Sequence, residues 1–513
     1  MMMETKNRLV AVLAIGSTSI RLVVAEIAKK GQWQVLDKAG KPVTLGRDVF
    51  TSGRVSRESL TECLSVLQYF KELLAGWGIL DTDIHILATS ALRAARNRDV
   101  FVDRVRLATG FRISIVEGIE ENRLIYLAVR FALKQDFPQF WQDNTMIIDI
   151  GGGATEIMLL ERGKMAAAHS LRLGTLLIEQ QSRLAVGSAW SQRYLRESIR
   201  HTAEFLSAEM NLAHINSFVG VGSDTRIAAA IIGTELNEHC RIIPREAFIA
   251  FVQQVQHYSI EACVQNLHIP YAEAEGFVPG LLVYRQFLEQ TIASKVVVPD
   301  VSLREGLLID LALGVDPELQ EEFFSQIIAS AANLGRKYHY DEAHNRYVAN
   351  LCLFLFDTLS HEHGMNRRER MMLEVAALLH DIGMFIRGED HHKHGQYIVV
   401  NSEIFGLRRD ELDIIANVIR YHRSAPPSQE DIDYIALQRE DRNLVLKMAS
   451  MLRVADALDR GHTQQVSLLQ VELKNETLVL RTEGNRDLSL ELIGLEEKAD
   501  LFQDVFGYNV LLL

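Results

Sequence analysis

The chain has 513 residues, 48% of them hydrophobic, and a net charge of −13. That length calls for several domains with full cores, and the acidic balance argues against broad nucleic-acid binding while leaving room for a local basic groove. No run of about 18 or more uncharged apolar residues occurs, which argues against a membrane span.

Met1–Arg8 leads directly into the apolar run Leu9–Ile15, which reads as a strand rather than a signal peptide because Gly16 and Ser17 cut it short. A second strand is expected over Ile20–Ile27, an amphipathic helix over Glu58–Trp77, a short buried strand over His85–Ala88 and a helix over Ile119–Lys134. The strand–turn–strand pattern returns at Met146–Ile150 and Glu156–Glu161, followed by a helix over Ser188–Leu212 and a strand at Phe218–Val221. From about residue 312 the periodicity becomes helical, with five or more helices across 317–460 and a loop at Pro426-Pro427. The last stretch alternates again: strands are expected at Val466–Val471 and Thr477–Arg481 around a Lys474-Asn475-Glu476 turn, and a third at Ser489–Leu492. Four scattered cysteines, Cys63, Cys240, Cys263 and Cys352, form no CxxC pair and read as reduced thiols of a cytoplasmic protein.

One unit occurs twice. Val12-Leu13-Ala14-Ile15-Gly16-Ser17-Thr18-Ser19-Ile20 parallels Ile147-Ile148-Asp149-Ile150-Gly151-Gly152-Gly153-Ala154-Thr155. Each is an apolar strand, a tight turn of small residues and a second strand, which predicts two similar lobes facing a ligand cleft. Phosphate needs several donors converging at close range, and backbone N–H groups supply them where no side chain blocks the approach; Gly151, Gly152 and Gly153 suit that use. Asp149 at the strand end can hold Mg²⁺ through water, and Thr155 and Glu156 can add a hydroxyl and a second carboxylate. In the first copy Gly16, Ser17 and Thr18 offer donors to the same phosphate chain, but Ala14 stands where the repeat predicts an Asp.

These segments, with Ala88-Thr89-Ser90-Ala91-Leu92-Arg93, Glu117-Gly118-Ile119-Glu120-Glu121-Asn122-Arg123-Leu124, Val278-Pro279-Gly280 and Leu303-Arg304-Glu305-Gly306-Leu307, resemble the exopolyphosphatase/guanosine-pentaphosphate phosphatase (Ppx/GppA) family over nearly the whole chain. The resemblance implies an α/β, actin-like (ASKHA) two-lobed fold, then an all-α HD-like domain and a small β-rich C-terminal segment. The expected divisions are 1–135, 136–312, 313–463 and 464–513. It implies a hydrolase that uses Mg²⁺ or Mn²⁺ to release the terminal phosphate of inorganic polyphosphate, or the 5′ phosphate of guanosine pentaphosphate, and that often forms a homodimer. Glu121 matches the position that activates the attacking water, with Glu120 its neighbour, and Arg93 matches a position beside the phosphate chain. This sequence departs from the family pattern at three places: Ala14 for Asp, Ala154 for Ser, and Asp224 for Gly in the loop Gly220-Val221-Gly222-Ser223-Asp224-Thr225. Those changes bear on turnover more than on fold, because an anionic Asp224 repels phosphate.

The helical region carries His344, His380-Asp381 and Asp456 in an order that resembles HD-domain phosphohydrolases, where imidazoles and carboxylates from separate helices bind a divalent metal. His391, His392, His394 and His422 lie between these marks, and Arg420-Tyr421-His422-Arg423 is basic. Two other functions compete with the first: hydrolysis of a nucleotide in the HD-like region, and a sensor that binds polyphosphate or guanosine tetra- or pentaphosphate without turnover.

Overall fold

The computed structural model describes residues 7–28, 32–133, 137, 140, 142–184, 197, 199–202, 204–207, 210–313, 317–423, 426–466, 468–474, 476–482 and 487–513. Lys134, the 135/136 division, Asn475, and residues 188–196, 198, 203, 208 and 209 of the expected helix Ser188–Leu212 lie outside the described residues. The chain forms two compact units, Met1–Phe323 and Phe324–Leu513.

Two sheets organise the first unit. One holds β1 (Arg8–Ile15), β2 (Ser19–Ile27), β3 (Trp33–Pro42), β4 (Ile84–Ala88) and β5 (Ile113–Ile115) in the order β3-β2-β1-β4-β5. The other holds β6 (Thr145–Ile150), β7 (Thr155–Glu161), β8 (Lys164–Leu171), β9 (Ser217–Val221), β10 (Thr234–Asn237), β11 (Cys240–Pro244) and β12 (Lys295–Pro299) in the order β10-β11-β12-β9-β6-β7-β8. In each, an antiparallel meander is joined on its far side by parallel strands: β4 and β5 beside β1, β9 and β12 beside β6. The run β8-β7-β6-β9-β12 therefore repeats β3-β2-β1-β4-β5, so the duplication read in two hairpins extends to whole sheets, as the actin-like class requires.

The central strands are apolar on both faces because both faces are covered. In β1, Val10 and Val12 pack with Leu308 and Ala312, while Ala11, Leu13 and Ile15 join Cys63, Leu67 and Phe70. β3, which sequence reading missed, is an edge strand of alternating half-exposed and exposed residues with Lys38 and Lys41. The helix Arg57–Trp77 starts where the Ser56 side chain accepts from the Ser59 amide and stops at Gly78, with φ +68°. The helix Gly118–Leu133 places Glu120 and Glu121 in its first turn, where the helix dipole favours carboxylates. It packs against β7, β8 and the helix Leu303–Leu313, which in turn lies on β1, β2 and β3. Gly306 makes that helix crossing possible: a Cβ there would stand 2.1 Å from the Leu124 carbonyl oxygen.

The second unit contains the helices Glu342–Thr358, Arg367–Leu379, His391–Val400, Arg409–Tyr421 and Arg439–Ala457. Asn366 and Glu369 close a reciprocal cap on the second of these. Its sheet has the order β13 (Leu468–Lys474), β14 (Thr477–Thr482), β15 (Asn509–Leu512). The expected third strand at Ser489–Leu492 is instead the start of the helix Ser489–Lys498. Four residues matched a period of two, but Glu491, Gly494 and Leu495 are the buried positions, at helical spacing, and Leu490, Leu492 and Ile493 are exposed. The third strand is supplied by the chain end, parallel to β14. No described helix is long and apolar enough to cross a membrane, and Cys63, Cys240, Cys263 and Cys352 are buried and form no disulfide among the described residues.

Candidate active site

A cavity of about 220 Å³ opens in the first unit, lined by the turns that end β1, β6 and β9. The two small-residue turns are built alike. Gly16 N donates to Ser19 O at 3.0 Å, and Gly151 N donates to Ala154 O at 2.8 Å. Each turn then receives the start of a helix: Gly46 N donates to Ser17 O, and Thr175 N and Leu176 N donate to Gly151 O and Gly152 O. The turns face each other closely, since a Cβ on Gly152 would lie 2.7 Å from Ser17 Cβ. Gly16, Ser17, Thr18, Gly151 and Gly152 line the cavity, and the amides of Ser17, Thr18 and Gly152 find no acceptor among the described residues. Backbone donors are thus available to an anion from both lobes.

Gly153 and Thr155 sit behind this wall. A Cβ on Gly153 would meet the Phe50 ring, and the buried Thr155 hydroxyl donates to Leu173 O. These two residues shape the turn, whereas the sequence pattern grouped them with the phosphate donors.

Three carboxylates share the cavity wall. Glu121, Asp149 and Glu156 all line the cavity. Burial pushes the Glu121 carboxyl up to about 7, against the opposing pull of Arg93. Burial likewise pushes Asp149 up to about 6 and Glu156 well above the usual carboxylate range, the latter helped by Glu121. Arg93 bonds Glu121 and the Val116 carbonyl and lies 4.0 Å from Glu156. Ser170 donates to Glu156 at 2.9 Å. Arg93 thus serves both Glu121 and Glu156, and the oxygens of Asp149 and Glu156 suit a hard divalent ion. Glu120 is engaged elsewhere, bound with Asp310 to Arg123.

Cationic residues that sequence reading missed line the same cavity: Arg21, Arg226 and Arg304, of which Arg226 pulls the Asp149 carboxyl down against burial. Arg21 is 3.4 Å from Glu273, and Arg226 donates to the Val301 carbonyl at 2.8 Å. Burial depresses Arg21 and Arg304; Arg226 depresses Arg21 further, and Arg21 and Arg226 depress Arg304. Tyr284, fully buried on the helix Tyr271–Glu289, ties the ends of β6 and β9 together: its hydroxyl accepts from Ile150 N at 3.2 Å and donates to Val221 O.

In the second unit, His344, His380, Asp381 and Asp456 converge. His344 Nε2 lies 3.7 Å from Asp456 and 3.9 Å from Asp381; His380 Nε2 lies 3.8 Å and 3.7 Å from the same two. Both imidazoles are fully buried.

A model of the Ppx/GppA phosphatase family matches residues 23–314, and one of the Ppx/GppA phosphatase domain III matches residues 328–499. The chain belongs to the Ppx/GppA phosphatase family. This is a family of phosphoanhydride hydrolases that are generally divalent-metal dependent. A guanosine-5′-triphosphate,3′-diphosphate pyrophosphatase of Photobacterium profundum is 23% identical over 472 residues, covering 89% of this chain and 88% of its own. One from Aliivibrio fischeri is 24% identical over 502 residues, covering 94% and 93%. Among solved structures, an exopolyphosphatase from Cytophaga hutchinsonii superposes with a TM-score of 0.54 at 18% identity, covering 60% of this chain and 99% of its own. The Aquifex aeolicus family member gives 0.50 at 22%, covering 61% and 99%.

The Ppx/GppA departures all fall on the cavity wall. Ala14 and Ala154 line it, as does Asp224. Asp224 is buried, and a Cβ on Gly280 would collide with its carboxylate, so its side chain is wedged against the helix Tyr271–Glu289. Burial, then Glu273, pushes it well above the usual carboxylate range.

Proposed function

We propose that this Ppx/GppA member hydrolyses the terminal phosphoanhydride of inorganic polyphosphate, or the 5′-terminal one of guanosine pentaphosphate. The observation that carries the reading is the pairing of Glu121 with Arg93 at the end of a cavity walled by two facing amide turns. Glu121 stands at the position of a base. Held near neutrality, its carboxylate takes a proton from water as the oxygen attacks the terminal phosphorus. The bond from that phosphorus to the bridging oxygen breaks, and orthophosphate leaves. Amides of Ser17, Thr18 and Gly152 donate to the non-bridging oxygens, and Arg21, Arg226 and Arg304 hold the charge of the remaining chain. Asp149 and Glu156 are the residues that would hold a divalent cation, which supplies neutralisation of phosphate charge.

A second reading, binding without turnover, draws support from Asp224, a buried acid on the phosphate side of the wall. The experiment measures orthophosphate release from both substrates with Mg²⁺ or Mn²⁺, together with binding of tripolyphosphate. Glu121→Gln is expected to lower release by about 10²–10⁴-fold while binding persists. Release that survives Glu121→Gln and disappears in Asp381→Asn would move the chemistry to the second unit. Binding by the wild type without release would make the protein a sensor.

A further inference from the structure

The two sheets of the first unit end differently where they meet the cavity. In the first, the parallel pairing of β1 with β4 runs to Ile15 opposite Ala88, and Thr89 N closes it by donating to Ile15 O at 3.2 Å. By the duplication, Ile15 corresponds to Ile150 and β4 to β9. In the second sheet the pairing of β6 with β9 stops one residue earlier, at Asp149 opposite Val221.

The backbone directions show what is missing. Successive amides along a strand point to opposite sides. Gly151 N donates to Ala154 O across the hairpin of β6 and β7, so Ile150 N points the other way, toward β9. In a parallel ladder a carbonyl accepts from the amide one past its partner, and the next bond would run from Ile150 N to Val221 O. Instead Ile150 N donates to the Tyr284 hydroxyl at 3.2 Å, and that hydroxyl donates to Val221 O. A phenol oxygen stands where the sheet would have closed on itself. It satisfies both backbone groups while keeping them farther apart than a direct bond of about 2.9 Å.

The surroundings hold this bridge in place. Tyr284 is fully buried on the helix Tyr271–Glu289, and its ring belongs to the same core as Leu281 and Phe287. Gly222 leaves the end of β9 with φ +120°, and a Cβ there would stand 3.2 Å from the Tyr284 hydroxyl and 3.3 Å from Asp149 Oδ1. Ile150, the residue that the phenol holds, joins Asp149 to Gly151 and Gly152. Tyr284 itself does not line the cavity.

We propose that Tyr284 is a positioning residue for the hydrolysis assigned above, a role that rests on that reading: its hydroxyl spaces the ends of β6 and β9 and so sets Asp149 and the Gly151–Gly152 turn toward the phosphate and its divalent cation. Without the hydroxyl, Ile150 N and Val221 O either close on each other or stay unpaired, and Asp149 shifts with the strand end.

The test is Tyr284→Phe in the full chain, which keeps the ring in the core and removes only the bridge. Phe287→Leu, on the same helix and in the same core, controls for lost packing. The first readout needs no turnover: affinity for tripolyphosphate with and without Mg²⁺, by titration calorimetry. The wild type is expected to bind more tightly with Mg²⁺, Tyr284→Phe to lose about 10–100-fold of that gain, and Phe287→Leu to keep it. The second readout is phosphate release, where Tyr284→Phe is expected to lower kcat about 10²-fold and to change KM by less than about threefold. A folded Tyr284→Phe, checked by circular dichroism, that keeps the full Mg²⁺-dependent gain overturns the proposal. So does an equal loss in Phe287→Leu, or a wild type with no such gain. Hydrogen–deuterium exchange of the wild type needs no variant: rapid exchange at the Ile150 amide overturns the bridge, and slow exchange is expected. A wild type that binds tripolyphosphate without releasing phosphate ends the hydrolase reading alone, and the first readout still decides whether Tyr284 sets the cavity.

Discussion

Glu121 is governed by two opposed influences, burial and Arg93. Burial raises its carboxyl to about 7 from an ordinary 4.5, and Arg93 pulls it down. A base must be ionised to accept a proton, so phosphate release should fall about tenfold per pH unit below 7 and level off above it. Arg93→Gln removes the opposing cation and should move that acid limb to higher pH; a limb that stays in place, measured as kcat/KM against pH, would separate Arg93 from the base. Asp224 poses the reverse case. An isosteric amide there removes a buried acid beside Glu273 and Asp149. Asp224→Asn should therefore tighten tripolyphosphate binding at pH 8 by about tenfold, or about 1.4 kcal/mol, in titration calorimetry. Weaker binding would mark Asp224 as a holder of cations.

At the scale of elements, the site depends on how closely helices can approach. The helix that carries Glu121 crosses Leu303–Leu313 at Gly306, and the collision a Cβ would make there is with backbone, which cannot swing aside. Gly306→Ala should destabilise the first unit by about 1–3 kcal/mol and lower phosphate release together with stability. Gly383→Ala makes the corresponding collision with the His391 carbonyl and should destabilise the second unit by about 1–3 kcal/mol. Denaturant titration of both variants, with phosphate release for the first, tests both.

At the scale of the molecule, two compact units predict two calorimetric transitions. Gly306→Ala should lower only one of them, and Gly383→Ala only the other. One indivisible transition in all samples would show that the units unfold together.

By itself, the sequence determined the glycine turns, because Asp149 and Gly151–Gly153 are contiguous and their conformational demands are local. It also determined the duplication, through two similar hairpins, and the order of His344, His380, Asp381 and Asp456. Local pattern misjudged Ser489–Leu492, since four residues fit a strand or a helix equally and only packing chose between them. Arg21, Arg226 and Tyr284 left no local signal, and Arg304 stood in a family-like segment without a role; they meet because β1, β6 and β9 end at one cavity, a consequence of sheet order and strand register. Gly153 and Thr155 share the motif but lie behind the wall, because the Phe50 ring and the Leu173 carbonyl that they meet come from segments distant in sequence. Tertiary structure alone brought His344, His380, His391 and His422 together, since three of the rings hold Nδ1 against a carbonyl three residues back in their own segment and only packing of separate helices makes them neighbours.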